Sequence, residues 1–232
     1  MAAIYNRKDL MKRGILMELT NEDFQLFERD YFAFKQLKAS YTIAEIEQIK
    51  KNYQEHWQKW KALQQVVAKS LPAEYHLDKP KIESWTNGWN LRNHFWCAYR
   101  DPQHRNQNAC LATLLNKKQF QVYLMFQHYK SGERSGSLAD YNALLPTLKK
   151  WSETVDITDY YIWPQVEHEL ADHLLLSEFL ADPLQSEKLE AKLEGRSFQV
   201  GKLLFKTKSI TTVDEMVVQT IKELAPLYFA LS

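Results

Sequence analysis

Residues 166–175, VEHELADHLL, open with a valine, a glutamate and a His-Glu pair, and a second histidine follows five positions after the first. A zinc-peptidase helix needs histidines at i and i+4, because those positions lie on one face and reach one metal together. Here the residue four after His168 is Asp172, and His173 is turned on by about another 100 degrees. His168 and Asp172 are left as the pair able to share a cation, with Glu169 beside them as a base. A zinc site needs a third protein ligand, and no spacing signals one. Acidic residues in a first helical turn are already accounted for by the helix dipole. The expectation is a charged helix face with no metal.

A second group is more promising. Arg92, His94, Trp96 and Arg100 alternate along LRNHFWCAYR, and Gln121, Tyr123 and Gln127 along QFQVYLMFQHY. Residues two apart in a strand share a face, so these side chains belong to one polar-aromatic sheet face. Flat aromatics beside guanidiniums suit stacking on a base or sugar, with the cation on phosphate. Arg92, His94, Trp96, Arg100 and Tyr123 are the expected ligand contacts. The ordinary structural alternative has helices covering this face too, with Trp96 in the core and the polar groups at its margins. Trp85 and Trp89, in ESWTNGWN, either rim the site or anchor a loop. A catalytic version, a small hydrolase or transferase, would use His94 as acid–base and Arg92 as anion clamp, with Glu83 in the same cleft. Lys202, Lys206 and Lys208 share one face of GKLLFKTK. They suit a phosphate stripe, although lysines more commonly guard an exposed edge strand.

Established enzyme signatures are missing. There is no Gly-x-Gly-x-x-Gly, Walker loop, Gly-x-Ser-x-Gly or Cys-x-x-Cys, so no cofactor is expected. The chain has 232 residues, 45% hydrophobic and 25% charged, which is enough apolar material for a real core. A formal charge of +1 provides no global field to recruit nucleic acid or an anionic membrane. No run approaches the roughly 18 apolar residues of a membrane span, and the N-terminus lacks the apolar core of a secretory signal. Cys97 and Cys110 sit in apolar stretches without metal-type spacing. They are expected as buried free thiols in a reducing cytoplasm.

The elements that must position the sheet face follow from periodicity. TNEDFQLFERDYFAFKQLK predicts a helix with Thr20 as N-cap and Phe24, Phe27, Tyr31 and Phe34 on one side. Thr42 and Glu45 have capping-box spacing and open a helix over 43–69, with Ile46, Ile49, Tyr53, Trp60, Leu63 and Val67 as its seam. That seam serves either the domain core, which its bulky aromatics favour, or a homodimer. LRNHFWCAYR, NACLATLL and QFQVYLMFQHY read as three antiparallel strands with a short hairpin at NKKQ. Phe120, Val122, Leu124 and Phe126 form the apolar side of the third.

Further along, a helix over 138–151 is expected to bend or break near Pro146. YYIW is a candidate strand. Helices are expected on both sides of Pro183, the second ended by Gly195 as a C-cap. SFQVGKLLFKTKSI reads as a strand, and TTVDEMVVQTIKELAPLYFAL as a closing helix with Thr212 and Glu215 at capping-box spacing. The expected fold is α+β: an antiparallel sheet of about four to six strands with helices packed against it. Residues 1–18 are expected as a flexible segment before one domain over 19–232.

TNEDF, the WCAY strand, the hairpin CLATLLNKKQFQVYLMF and the final KELAPLY together resemble the YktB-like family of uncharacterised bacterial proteins. The likeness spans about Thr20 to Tyr228. It implies a small α+β fold with helices against an antiparallel sheet, and it implies no reaction. The leading expectation is a non-catalytic cytoplasmic module. Its polar-aromatic sheet face would bind a small molecule, nucleotide or protein partner.

Overall fold

The computed structural model describes residues 17–75, 77, 79–166, 173–206 and 210–231. Thr20 opens the short helix α1 (Asn21–Gln25), where the Asp23 carboxylate accepts from the Thr20 backbone N–H at 2.8 Å. The chain then leaves helical geometry and re-enters it in α2 (Phe34–Ser40). The single helix expected over this stretch is therefore two. Between them the Phe32 carbonyl accepts from the Leu91 N–H, and Ala33 forms a β-bridge with Asn90. Backbone committed to that long-range pairing cannot also close helical turns.

The helix α3 (Ile43–Ser70) begins at the expected capping box. The Glu45 N–H donates to Thr42 Oγ1 at 3.3 Å, and the Thr42 N–H donates to Glu45 Oε2 at 2.7 Å. Its seam packs onto this chain's own sheet. Trp60 lies 6.2 Å from Phe95 and 6.1 Å from Phe120, and Tyr53 lies 6.3 Å from Phe95, between ring centroids. A homodimer through this helix would have to use the outward side, where Lys51 and Glu55 stand exposed.

The strands are β1 (Lys81–Ile82), the hairpin β2 (Thr86–Asn87) and β3 (Asn90–Leu91), then β4 (His94–Tyr99), β5 (Ala109–Asn116) and β6 (Gln119–Phe126). Asn116 makes the β5–β6 turn, its Oδ1 accepting from the Lys118 and Gln119 N–H groups at 2.9 and 3.0 Å. The helix expected over 138–151 is broken into α4 (Leu138–Asn142) and α5 (Leu148–Ser152), with Pro146 in a 3-10 turn between them. β7 (Tyr160–Pro164) then pairs with β8 (Leu174–Leu175). The helix expected to run through His173–Leu175 is overturned: helix α6 starts at Leu176 and ends at Ala181. His168, Glu169 and Asp172 lie outside the described residues. The chain closes with α7 (Pro183–Ala191), β9 (Phe198–Phe205) and α8 (Val213–Phe229).

Among the described residues the main sheet has seven strands in the order β1-β4-β5-β6-β9-β7-β8, every pairing antiparallel. It exceeds the expected four to six through the two-residue strands β1 and β8, too short to show a period. β9 lies between β6 and β7, so its lysines guard no edge. Lys202 pairs with Glu223 at 2.9 Å and lies over the Tyr160 ring, and Lys206 pairs with Glu28. Lys208 is outside the described residues. At the start of α8, Thr212 takes φ 51° and makes no side-chain cap. The expected box is replaced by a tertiary bond from the Val213 N–H to the Met17 carbonyl.

The register puts Phe95, Cys97, Tyr99, Phe120, Val122, Leu124 and Val200 on the face under α3 and α8, all buried in the main core. The opposite face carries a separate buried cluster that includes Trp96, Ala98, Cys110, Ala112, Leu114, Tyr123 and Trp163.

Candidate functional site

The expected alternation of the sheet face holds, but the face is not an open platform. Trp96 is 6% exposed and Tyr123 1%. Rings at this density exclude solvent: Tyr123 and Trp163 lie 5.8 Å apart, and Trp163 meets the His173 ring at 5.1 Å. The face opens at one end, as a cleft of about 460 Å³. Trp96, Leu114, Tyr123 and Met125 line its apolar part. Its polar lining is Glu83, Asn87, Arg92, His94, Gln127, His128 and Gln165, and Tyr129 stands at it 70% exposed.

Backbone bonds hold the charged pair in place. The Glu83 N–H donates to the Trp96 carbonyl at 3.1 Å, and the Glu83 carbonyl accepts from the Trp57 indole at 2.8 Å. The Arg92 N–H donates to the Trp85 carbonyl at 3.0 Å. So fixed, Arg92 Nη1 and Glu83 Oε2 meet at 2.7 Å, each side chain about a fifth to a quarter exposed. The pair carries no net charge, which removes most of the pull that Arg92 alone would exert on a phosphate. His94 Nδ1 lies 2.7 Å from the Asn93 side-chain oxygen.

Four of the five sequence candidates, Arg92, His94, Trp96 and Tyr123, thus line one cleft. Arg100 does not. It is 8% exposed, and its guanidinium donates to the Gln107 carbonyl at 3.3 Å and to Gln127 Oε1 at 2.7 Å. It acts behind Gln127, which lines the cleft. Trp85 is half-buried against the main core, whereas Trp89, at the tip of the β2–β3 hairpin, is 86% exposed. A second concavity of about 560 Å³ shares Asn87, Arg92 and His94 with the first and adds Asp30, Phe32 and Gln36.

Sequence reasoning missed His128, Gln165 and Ser197. His128 Nε2 lies 3.2 Å from Ser197 Oγ, which donates to Gln165 Oε1 at 3.0 Å. Burial pushes the His128 pKa down, so the ring is neutral at neutral pH. These three come from separate segments, and no spacing links them. The arrangement offers hydrogen-bonding edges around an aromatic floor, a combination suited to a planar polar ligand.

Among the described residues, no helix is long and apolar enough to cross a membrane. A protein-family model matches residues 19–231. An uncharacterised protein from Haemophilus influenzae is 30% identical over 219 residues, spanning 92% of this chain and 98% of that relative.

Proposed function

The chain belongs to the family whose model matches residues 19–231, and from that premise we propose that it is a ligand-binding module for a small, uncharged planar heterocycle such as a nucleobase or nucleoside. The carrying observation is the cleft itself: amide and charged edges converge over a floor of Trp96, Tyr123 and Met125. A ring seated there would rest on the parts of Trp96 and Met125 that reach the cleft and meet hydrogen-bonding groups at its rim. The neutral Glu83–Arg92 pair favours an uncharged ligand over a phosphate. The adjoining concavity, sharing Arg92 and His94, leaves room for a sugar attached to the ring. The likeness to YktB-like proteins brings no reaction, so the reading stands on geometry. The buried, unpaired thiols of Cys97 and Cys110 support a reducing compartment such as the cytoplasm.

A catalytic reading, with His94 as acid–base, has one observation in its favour: Glu83, Arg92 and His94 line the same cleft. Arg92 is a weakened anion clamp while Glu83 holds it, so binding without turnover is the stronger reading.

Isothermal titration with free nucleosides and bases tests the proposal. Saturable binding is expected, weakened about tenfold or more in Glu83→Ala and His94→Ala, a loss typical of removing one good polar contact in a desolvated site. No heat from any member of the panel at millimolar concentration would refute it.

A further inference from the structure

Resting on that reading of the cleft, we infer that it selects planar ligands bearing carbonyl oxygens over those bearing amino groups at the same positions, because networks behind the wall turn two glutamine amides NH2-first towards the ligand. The glutamines are Gln127 and Gln165, which both line the cleft.

For Gln127 the orientation follows from chemistry. A guanidinium has only donors, so the Gln127 atom 2.7 Å from Arg100 Nη2 must be the amide oxygen. The opposite flip would set N–H against N–H inside a buried contact. The Gln127 NH2 has no acceptor among the described residues and is not sealed from solvent. It is left to the cleft.

For Gln165 the structure sets the amide oxygen towards Ser197, and a relay continues from it. Ser197 Oγ has one hydrogen, which it donates to Gln165 Oε1. It must then accept from His128, which requires the proton on Nε2, 3.2 Å away. An imidazolium also donates from Nε2, so the relay runs the same way on both sides of the His128 titration. The Gln165 NH2 is thereby turned away from Ser197, and it too has no acceptor among the described residues. On a neutral ring, His128 Nδ1 is left as an acceptor.

Two amide donors lining one cleft pair with carbonyl oxygens. An amino group in their place leaves donors facing donors, and both lose their water on binding without gaining a partner. Such a mismatch costs about tenfold or more in affinity. Gln127 and Gln165 would therefore read the ligand's edge, with Arg100 and Ser197 as positioning residues behind them and His128, itself in the lining, holding Ser197.

The test is a titration of the full chain with two matched pairs, uridine against cytidine and inosine against adenosine. Within each pair oxo replaces amino on one ring, and the neighbouring ring nitrogen turns from an acceptor into an N–H donor. The oxo member is expected to bind about tenfold or more tightly. Gln127→Glu keeps the partnership with Arg100 but replaces the donor with an acceptor, so it should erase or reverse the preference. Ser197→Ala, which frees Gln165 to flip, should narrow the preference and leave binding measurable. Equal affinities within both pairs, or an amino preference in the wild type, would overturn the inference while the cleft reading stood. A wild-type oxo preference that survives Gln127→Glu and Ser197→Ala unchanged would also overturn it. No binding of any of the four would overturn both.

Discussion

The two faces of one sheet are built on different plans. Under α3 and α8, aromatic rings mesh with one another: Phe27 meets Phe95 at 5.0 Å and 85°, and Trp60 meets Phe120 at 6.1 Å and 81°. On the opposite face, Trp96, Tyr123 and Trp163 share their cluster with Ala98, Cys110 and Ala112, and the strands also bury Gln119, Gln121 and Gln199. Rings on rings bury the most apolar area and give stability. Rings among small residues and amides give orientation instead, since each buried polar group has to be met by a partner in a fixed direction. The helix face holds the fold; the opposite face is where the molecule can be specific.

The largest effect should come from the helix face. Trp60→Ala, at a position 1% exposed between Phe95 and Phe120, is expected to cost about 3–5 kcal/mol in a denaturant melt. A loss below about 1 kcal/mol would show that this packing is not what holds the sheet. Gly201→Ala comes next, because an added Cβ would stand 2.2 Å from the Val122 carbonyl oxygen and 2.6 Å from Tyr123 Cα. Both are backbone of the neighbouring strand and cannot rotate away. A loss of roughly 1–3 kcal/mol is expected, and a variant as stable as the parent would mean that β6 and β9 do not approach so closely.

Asp23 joins α1 to α3. Burial alone would raise its pKa, but hydrogen bonds from His56 and Lys59 and from the Thr20 backbone outweigh that and hold it below the ordinary carboxylate value. A carboxyl depressed in the folded state stabilises above its unfolded pKa, and the contribution is lost as pH falls through the folded one. Asp23→Asn should therefore cost about 1–3 kcal/mol at neutral pH and show a shallower loss on acidification than the parent. Parallel acid-melting curves would contradict this. Cys97, fully buried beside Tyr99 and Thr113 with its thiol pKa pushed up by burial, should not react with a thiol reagent until the protein unfolds. Fast labelling in a Cys110→Ser background would mean that the helix face opens readily. Glu83→Ala should have the smallest effect on stability, about 1 kcal/mol, since both side chains of the pair keep a fifth to a quarter of their surface in solvent. That makes it a clean probe of binding.

Much of this contrast was legible in the residues. The alternation of Phe95, Cys97 and Tyr99 with His94, Trp96 and Arg100 placed each side chain on its correct face, because a strand's period of two leaves no freedom once one face is apolar. Thr42 and Glu45 marked the start of α3 because a capping box is local. The failures came where distant backbone intervened. Phe32 and Ala33 pair with the β2–β3 hairpin and so split the first predicted helix. Val213 bonds to Met17 and displaces the cap expected of Thr212. Arg100 shares the alternation of Arg92, yet its role behind Gln127 depends on a contact 27 residues away. His128 and Ser197 are 69 residues apart, and only the pairing of strands brings them together.

The central claim, that the opposite face ends in a binding site, is tested most directly by nuclear magnetic resonance. Indole and side-chain amide signals would be followed while uridine or inosine is titrated into the isotopically labelled full chain. Saturable shifts are expected at the Trp96 indole and at the Gln127 and Gln165 amides, with the Trp60 and Trp151 indoles, buried on the helix side of the sheet, unmoved. Shifts centred on Trp60 or Trp151, or none at saturating nucleoside, would contradict it.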